Sequence, residues 1–189
     1  YRSDVQTQTG VENVLRNTPM YNTNFTYTNN AGKNVSIKYS KAFMEAAAAS
    51  KVSPYHLASR VKQEVVISST MMSSSVSGNV AGYKGIYNFY NIGANSGANA
   101  VKNGLKWAST GTDYSRPWNN RYRSIYGGAC YIGKQYINVG QNTLYLQKFN
   151  VTATKRYDHQ YMANIEAPNN EATKTANAYG SDKDNTPIV

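Results

Sequence analysis

Glu64 is the side chain in this sequence with the clearest potential for acid–base chemistry. It belongs to a predicted helix in which Ser53 is the N-cap and Pro54 the first helical residue. Apolar residues at helical spacing form one stripe of this helix, and Glu64 lies at the margin of that stripe: Leu57, Ala58, Val61 and Val65. Arg60 is predicted to point elsewhere. Partial burial disfavours the charged form of a carboxyl, which suits a general acid. The alternative is a helix-edge glutamate paired with a neighbouring Lys or Arg.

A second group of residues suits a saccharide ligand. Residues 67–95 combine glycines with aromatic residues, and we predict that they form a small β lobe beside a cleft. Aromatic rings suit the apolar faces of pyranose rings, and amides suit hydroxyl and acetamido groups. The predicted sugar contacts in this lobe are Tyr83, Tyr87, Asn88, Phe89, Tyr90 and Asn91. We expect about half of the aromatic residues to be the core of the lobe instead, because a small lobe needs filling.

Other reaction classes lack their residues. The sequence has no G-x-S-x-G motif for a catalytic triad, no P-loop and no dinucleotide-binding fingerprint. Cys130 is the one cysteine, so neither an internal disulfide nor a cysteine-based metal site is expected. His56 and His159 are too few for a zinc site without carboxylates. We therefore predict no metal and no cofactor.

Length and composition predict one domain over residues 1–189, with residues 1–35 as an N-terminal extension or arm. The chain has 189 residues, of which 40% are hydrophobic and 16% charged. No apolar run is long enough for a transmembrane helix. Because the sequence opens at Tyr1 without Met or a signal peptide, we expect it to be a piece of a longer protein.

The net charge of +10 indicates a polyanionic partner. Nucleic acid, an anionic wall polymer and a membrane surface all satisfy it. Lys and Arg residues are scattered singly, however, and no nucleic-acid-binding motif is present. Charge alone therefore does not select the partner.

Local patterns predict three further elements. Lys33 to Tyr39 alternates polar and apolar residues, which favours a short strand or an extended arm. Ser40 is predicted to cap an alanine-rich helix, and Pro117 is predicted to begin a later one.

Several segments together resemble glycoside hydrolase family 73, the bacterial endo-β-N-acetylglucosaminidases, and in particular the glucosaminidase domains of clostridial autolysins. The matching segments occur in the expected order and are residues 53–64, 83–94, 116–118, 136–150 and 159–162. The resemblance implies an α+β, mainly α, lysozyme-like fold: a helical body and a small β lobe that flank a substrate cleft. It places Glu64 on the general acid of the family.

The resemblance also implies the substrate and its setting. It predicts hydrolysis of the β-1,4 bond after N-acetylglucosamine in peptidoglycan by a secreted, cell-wall-associated monomer. Further substrate contacts are expected from Trp118, Gln147, His159 and Tyr161. The positive charge is then explained by anionic wall polymers, so neither nucleic acid nor membrane insertion is expected.

One departure from the family bears on the mechanism. Family members often carry an acidic residue in the β lobe, whereas this chain has Lys84 and no acidic residue at all from Val65 to Thr112. A second catalytic group must then come from elsewhere in the protein or from the 2-acetamido group of the substrate. The protein candidates are Asp113, Asp158, Glu166 and Glu45. Lys84 also favours an alternative function, a non-catalytic or weakly active wall-binding module.

Overall fold

Helices form most of the regular secondary structure of the molecule. The computed structural model describes residues 5–95, 97–153, 156–160, 164 and 166–180. Within these residues there are seven α-helices and one antiparallel hairpin. Their bounds are α1 Gln8–Leu15, β1 Asn24–Thr28, β2 Asn34–Lys38, α2 Tyr39–Ser50, α3 Pro54–Val65, α4 Ala100–Ser109, α5 Arg121–Gln135, α6 Leu144–Lys148 and α7 Ala167–Tyr179.

Helix α1 is part of the core, which corrects the expectation that residues 1–35 form an extension or arm. Its apolar residues Val11, Val14 and Leu15 are fully buried against α2, α3 and α7. Gly10 touches the ring of Tyr55 on α3, so even one methyl group at this position would overlap that ring. The spacing of these three apolar residues predicts such a short helix, but its burial in the core was not expected.

Helices α2 and α5 pack closely because small residues line their contact. Ala42, Ala46 and Ala47 of α2 are buried, and a side chain at Gly133 of α5 would collide with the carbonyl of Ser50. The predicted cap at Ser40 is wrong. Helix α2 begins two residues earlier, at Tyr39 directly after β2, and Ser40 Oγ donates instead to Glu12 Oε1 at 2.6 Å.

The mainly helical α+β class is confirmed, but the sheet lies elsewhere than predicted. The strand expected at Lys33–Tyr39 is β2, which pairs antiparallel with β1 in the register Asn24–Lys38 to Thr28–Asn34. Residues 67–95 contain no strand of their own; a single bridge joins Val66 to Met72, and loops follow. Glycines with positive φ, such as Gly78 and Gly85, interrupt the extended backbone that a strand needs.

Helix α5 begins later than predicted. Its N-cap is Asn120, whose Oδ1 accepts from the Arg123 amide at 2.8 Å. The segment after Pro117 is held by tertiary contacts, because the Trp118 amide donates to the Ala108 carbonyl at 2.9 Å and the Trp118 carbonyl accepts from Tyr87. Within the part of the chain that is described, no helix combines the length and apolarity of a membrane span.

Candidate active site

Helix α3 holds Glu64 at the edge of the core. Ser53 caps the helix by accepting from the His56 amide at 3.2 Å, and Pro54 follows at the first position, as predicted. The apolar stripe is confirmed as buried: Leu57, Ala58, Val61 and Val65. The side chain of Glu64 is 29% exposed, so a ligand can reach its carboxylate.

Arg60 is the nearest charged partner of Glu64. Its Nη2 lies 3.1 Å from Glu64 Oε1, so the prediction that Arg60 points elsewhere is wrong. Residues four apart lie on the same face of a helix, which brings the two side chains together. This contact holds the Glu64 carboxylate from its own helix.

The ion pair extends into a network that joins three helices. Arg60 Nη1 lies 3.2 Å from Glu171 Oε1 on α7, and Glu171 Oε2 lies 2.8 Å from Lys148 Nζ on α6. The Lys148 side chain is only 1% exposed. The Arg60–Glu64 spacing was visible in the sequence, but Glu171 and Lys148 were missed because nothing local links them to α3.

Asn91, which lies 27 residues after Glu64 in the sequence, is its second partner. Its Nδ2 donates to the Glu64 carbonyl at 2.9 Å and lies 3.4 Å from Glu64 Oε2. Asn91 has a φ of 49°, a left-handed conformation that asparagine tolerates better than most residues. The amide therefore fixes both the end of α3 and the carboxylate.

The three residues before Asn91 anchor its loop and are buried, which corrects their prediction as substrate contacts. Asn88 stabilises the loop because its Nδ2 donates to the carbonyls of Ile92 and Gly104 at 2.8 and 3.0 Å. The Phe89 amide donates to a buried serine of α5 at 3.0 Å, and the Tyr90 ring lies directly against a glycine of the same helix. These side chains have almost no surface for a ligand: Asn88, Phe89 and Tyr90.

Trp118 and Gln147 are also buried, and the structure does not support direct substrate contact for either. Trp118 Nε1 donates to the Tyr114 carbonyl at 2.8 Å, and its ring meets Trp107 edge-on at 5.2 Å. Gln147 lies on α6 beside Lys148, and its Nε2 has no hydrogen-bond partner among the described residues.

The remaining predicted contacts are partly accessible. Tyr83 is half-buried, and Tyr87 is half-buried beneath the Arg121 guanidinium, 5.1 Å from its ring centroid. His159 stacks on Tyr136 with ring centroids 4.4 Å apart. Tyr161 lies outside the described residues.

Three of the four carboxylates considered as a second catalytic group have partners other than Glu64, and the fourth is exposed. Glu45 accepts from the Tyr122 hydroxyl at 2.8 Å, and the Asp113 carboxylate, 79% exposed, lies 3.7 Å from Arg116. Asp158 accepts from the His159 amide, and Glu166 is exposed at the start of α7. Across the described residues, no group of three or more His, Cys, Asp or Glu could hold a metal ion.

Comparison with known proteins identifies relatives of this chain, although no family model matches it. A β-N-acetylglucosaminidase of Bacillus subtilis is 32% identical over 138 residues, which is 71% of this chain and 14% of that protein. A bifunctional autolysin of Staphylococcus epidermidis is 35% identical over 83 residues, 44% of this chain and 6% of that protein. These relatives support the resemblance to the glucosaminidases of glycoside hydrolase family 73.

Solved structures share the fold of this chain. The chain resembles a catalytic mutant of Staphylococcus aureus autolysin E in complex with the disaccharide NAG-NAM, with a TM-score of 0.61 and 18% identity over 93% of this chain and 68% of that one. For autolysin E in complex with the muropeptide NAM-L-Ala-D-iGlu, the TM-score is 0.62 and the identity 22% over the same shares. The chain spans only 14% of the B. subtilis relative and 6% of the S. epidermidis one.

Proposed function

We propose that this chain hydrolyses peptidoglycan by cleaving the β-1,4 bond between N-acetylglucosamine and N-acetylmuramic acid. The names of its relatives support this assignment, as do the autolysin E complexes with NAG-NAM and a muropeptide. The observation that carries the proposal is the position of Glu64, an accessible carboxylate at the end of α3 that two side chains from different elements hold in place. This substrate implies that the enzyme is secreted and associated with the cell wall.

Glu64 is the general acid in this proposal. Its protonated carboxyl gives a proton to the glycosidic oxygen as the bond from that oxygen to the anomeric carbon breaks, so that the leaving sugar departs as an alcohol. Asn91 orients the carboxyl through its amide, and Arg60 stabilises the carboxylate that remains after proton transfer.

The nucleophile in this proposal is the 2-acetamido group of the substrate. No acidic residue occurs from Val65 to Thr112, and the carboxylates of Glu45, Asp113 and Asp158 contact partners other than Glu64. The acetamido oxygen bonds to the anomeric carbon as the leaving oxygen departs, and water then opens the cyclic intermediate. This route retains the anomeric configuration, so NMR of early products tests it; inverted products would rule it out.

Replacing Glu64 with Gln tests the assignment of the general acid. Glu64→Gln keeps the shape of the side chain but cannot donate the proton, so lysis of purified peptidoglycan is expected to fall about 10²- to 10⁴-fold. Glu166→Gln, an exposed change of equal charge, is the matched control and should lyse like the parent. Mass spectrometry of borohydride-reduced products identifies the sugar at the new reducing end. The proposal expects reduced N-acetylglucosamine there, and reduced N-acetylmuramic acid would contradict it.

A wall-binding module without hydrolytic activity is the second candidate function. The exposed Lys84 is the observation in its favour. The same experiment separates the two, since this alternative requires that parent and Glu64→Gln both bind peptidoglycan and neither releases fragments.

A further inference from the structure

A polar groove lies between the hairpin and the start of α5. It has a volume of ≈ 550 Å³, and its walls come from the β1–β2 turn, the first turns of α5 and the loop before α5. None of the residues that line it contacts Glu64, Arg60 or Asn91 in the described interactions. The groove lies on elements other than α3 and the loop of Asn91, which form the candidate active site.

Tyrosine rings form one wall of this groove. Tyr27 and Tyr122 stack with centroids 4.6 Å apart and an interplanar angle of 3°, and Tyr126 continues the stack at 5.9 Å from Tyr122. The Tyr122 hydroxyl donates to Glu45 Oε2 at 2.8 Å. Burial together with this hydrogen bond raises the pKa of Tyr122. Each of the three rings is half-buried.

Amides and a guanidinium form the other wall. Asn29, Asn30 and Asn120 line the groove, and Arg123 Nη2 donates to Asn30 Oδ1 at 2.9 Å. This hydrogen bond holds the guanidinium over the groove while leaving other N–H groups for a ligand. None of the described residues that line the groove is acidic, and the positive end of α5 lies there as well.

We propose that this groove binds a carboxylate-bearing N-acetylated sugar, such as a muramoyl residue of a glycan strand, without cleaving it. The tyrosine wall suits the ring, the asparagine amides suit hydroxyl and acetamido groups, and Arg123 suits the carboxylate. The site anchors the enzyme to its polymer at a distance from Glu64. The choice of a wall sugar rests on the proposed function, but binding in the groove does not depend on hydrolysis.

The test uses two monosaccharides that no glycosidase can cleave, N-acetylmuramic acid and N-acetylglucosamine. Each is titrated into the full chain, and backbone amide chemical shifts locate the binding. We expect N-acetylmuramic acid to shift residues 27–30 and 120–126 and to bind there more tightly than N-acetylglucosamine. Arg123→Gln should weaken its binding by about tenfold, the effect of losing one hydrogen bond between charged groups.

Arg16→Gln is the matched control, since Arg16 is exposed, lies outside the groove and carries the same charge. It should leave binding in the groove unchanged within about twofold, the usual range for a surface change.

Tyr126→Ala should weaken the binding of both sugars, with folding checked by circular dichroism. The proposal is overturned by shifts confined to residues around 60–64 and 91, by equal affinity for the two sugars, or by equal effects of the two arginine changes. Because hydrolysis is not measured, a failure here leaves the role of Glu64 intact, and an inactive enzyme would leave the groove intact.

Discussion

At the scale of single residues, the candidate site depends on how Glu64 is held. The carboxylate has Arg60 at 3.1 Å on its own helix and Asn91 at 3.4 Å from a distant loop. Proton transfer requires the carboxyl to lie within hydrogen-bond reach of the glycosidic oxygen. Two contacts from different elements restrict its rotamers and so reduce the cost of reaching that geometry.

Asn91→Gly tests this positioning role. Glycine accepts the left-handed backbone at a φ of 49°, so the change removes the amide without straining the loop. We expect kcat on peptidoglycan to fall roughly tenfold or more while KM changes little, since the lost contact orients the acid and does not bind substrate. Asn95→Gly, an exposed change in the same loop, is the control. Equal kinetics for the two variants would contradict the role of Asn91.

At the scale of elements, a partly buried ion network joins α3, α6 and α7. Arg60, Glu171 and Lys148 each come from a different one of these helices, and the Lys148 side chain is almost fully buried. A buried charge that loses its partner destabilises the fold, because its desolvation is no longer compensated. The network therefore couples the helix of Glu64 to the last described helix of the chain.

Glu171→Gln should lower the free energy of unfolding by about 3 kcal/mol, because Lys148 and Arg60 both lose a carboxylate partner. Urea unfolding followed by circular dichroism measures the change. Glu166→Gln removes the same charge from an exposed position just before α7 and should cost no more than about 0.5 kcal/mol. If the two variants were equally stable, the network would contribute nothing to α7 docking.

At the scale of the whole molecule, His56 makes stability depend on pH. Burial, with the charge of Arg60 as a second cause, lowers the pKa of His56 to about 3. Its Nε2 is enclosed without a hydrogen-bond partner among the described residues. In the unfolded chain a histidine has a pKa of about 6.5. Between these two values only the unfolded state binds the proton, so stability falls as the pH falls.

Unfolding in urea between pH 7 and pH 5 measures this effect in a window where carboxylates contribute little. Below about pH 6.5 the free energy of unfolding should fall with a slope approaching 1.4 kcal/mol per pH unit. A His56→Gln variant has no ionisable group there and should show a clearly flatter profile. Parallel profiles for the two proteins would show that His56 binds the proton as readily in the folded state as in the unfolded state, which would contradict the lowered pKa.

Local sequence patterns predicted the helix that carries Glu64, and the resemblance to a known family made this residue the candidate general acid. Capping by Ser53 and Pro54, followed by an apolar stripe, placed Glu64 on α3 correctly, and alternation located β2. These signals succeed because capping and periodicity act between residues a few positions apart. The same signals failed at residues 67–95, where aromatic and glycine content suggested strands but turns determine the backbone.

Only the tertiary structure decided which side chains surround Glu64. Composition could not separate Asn91, which reaches the carboxylate, from Asn88 and Phe89, which are buried and hold its loop. Nor could it pair Arg60 with Glu171, 111 residues away. The physical reason is that burial and ion pairing depend on how elements pack, and packing brings together residues that no local pattern connects. The sequence by itself indicated Glu64 as the candidate acid, and the fold determined which residues hold its carboxylate.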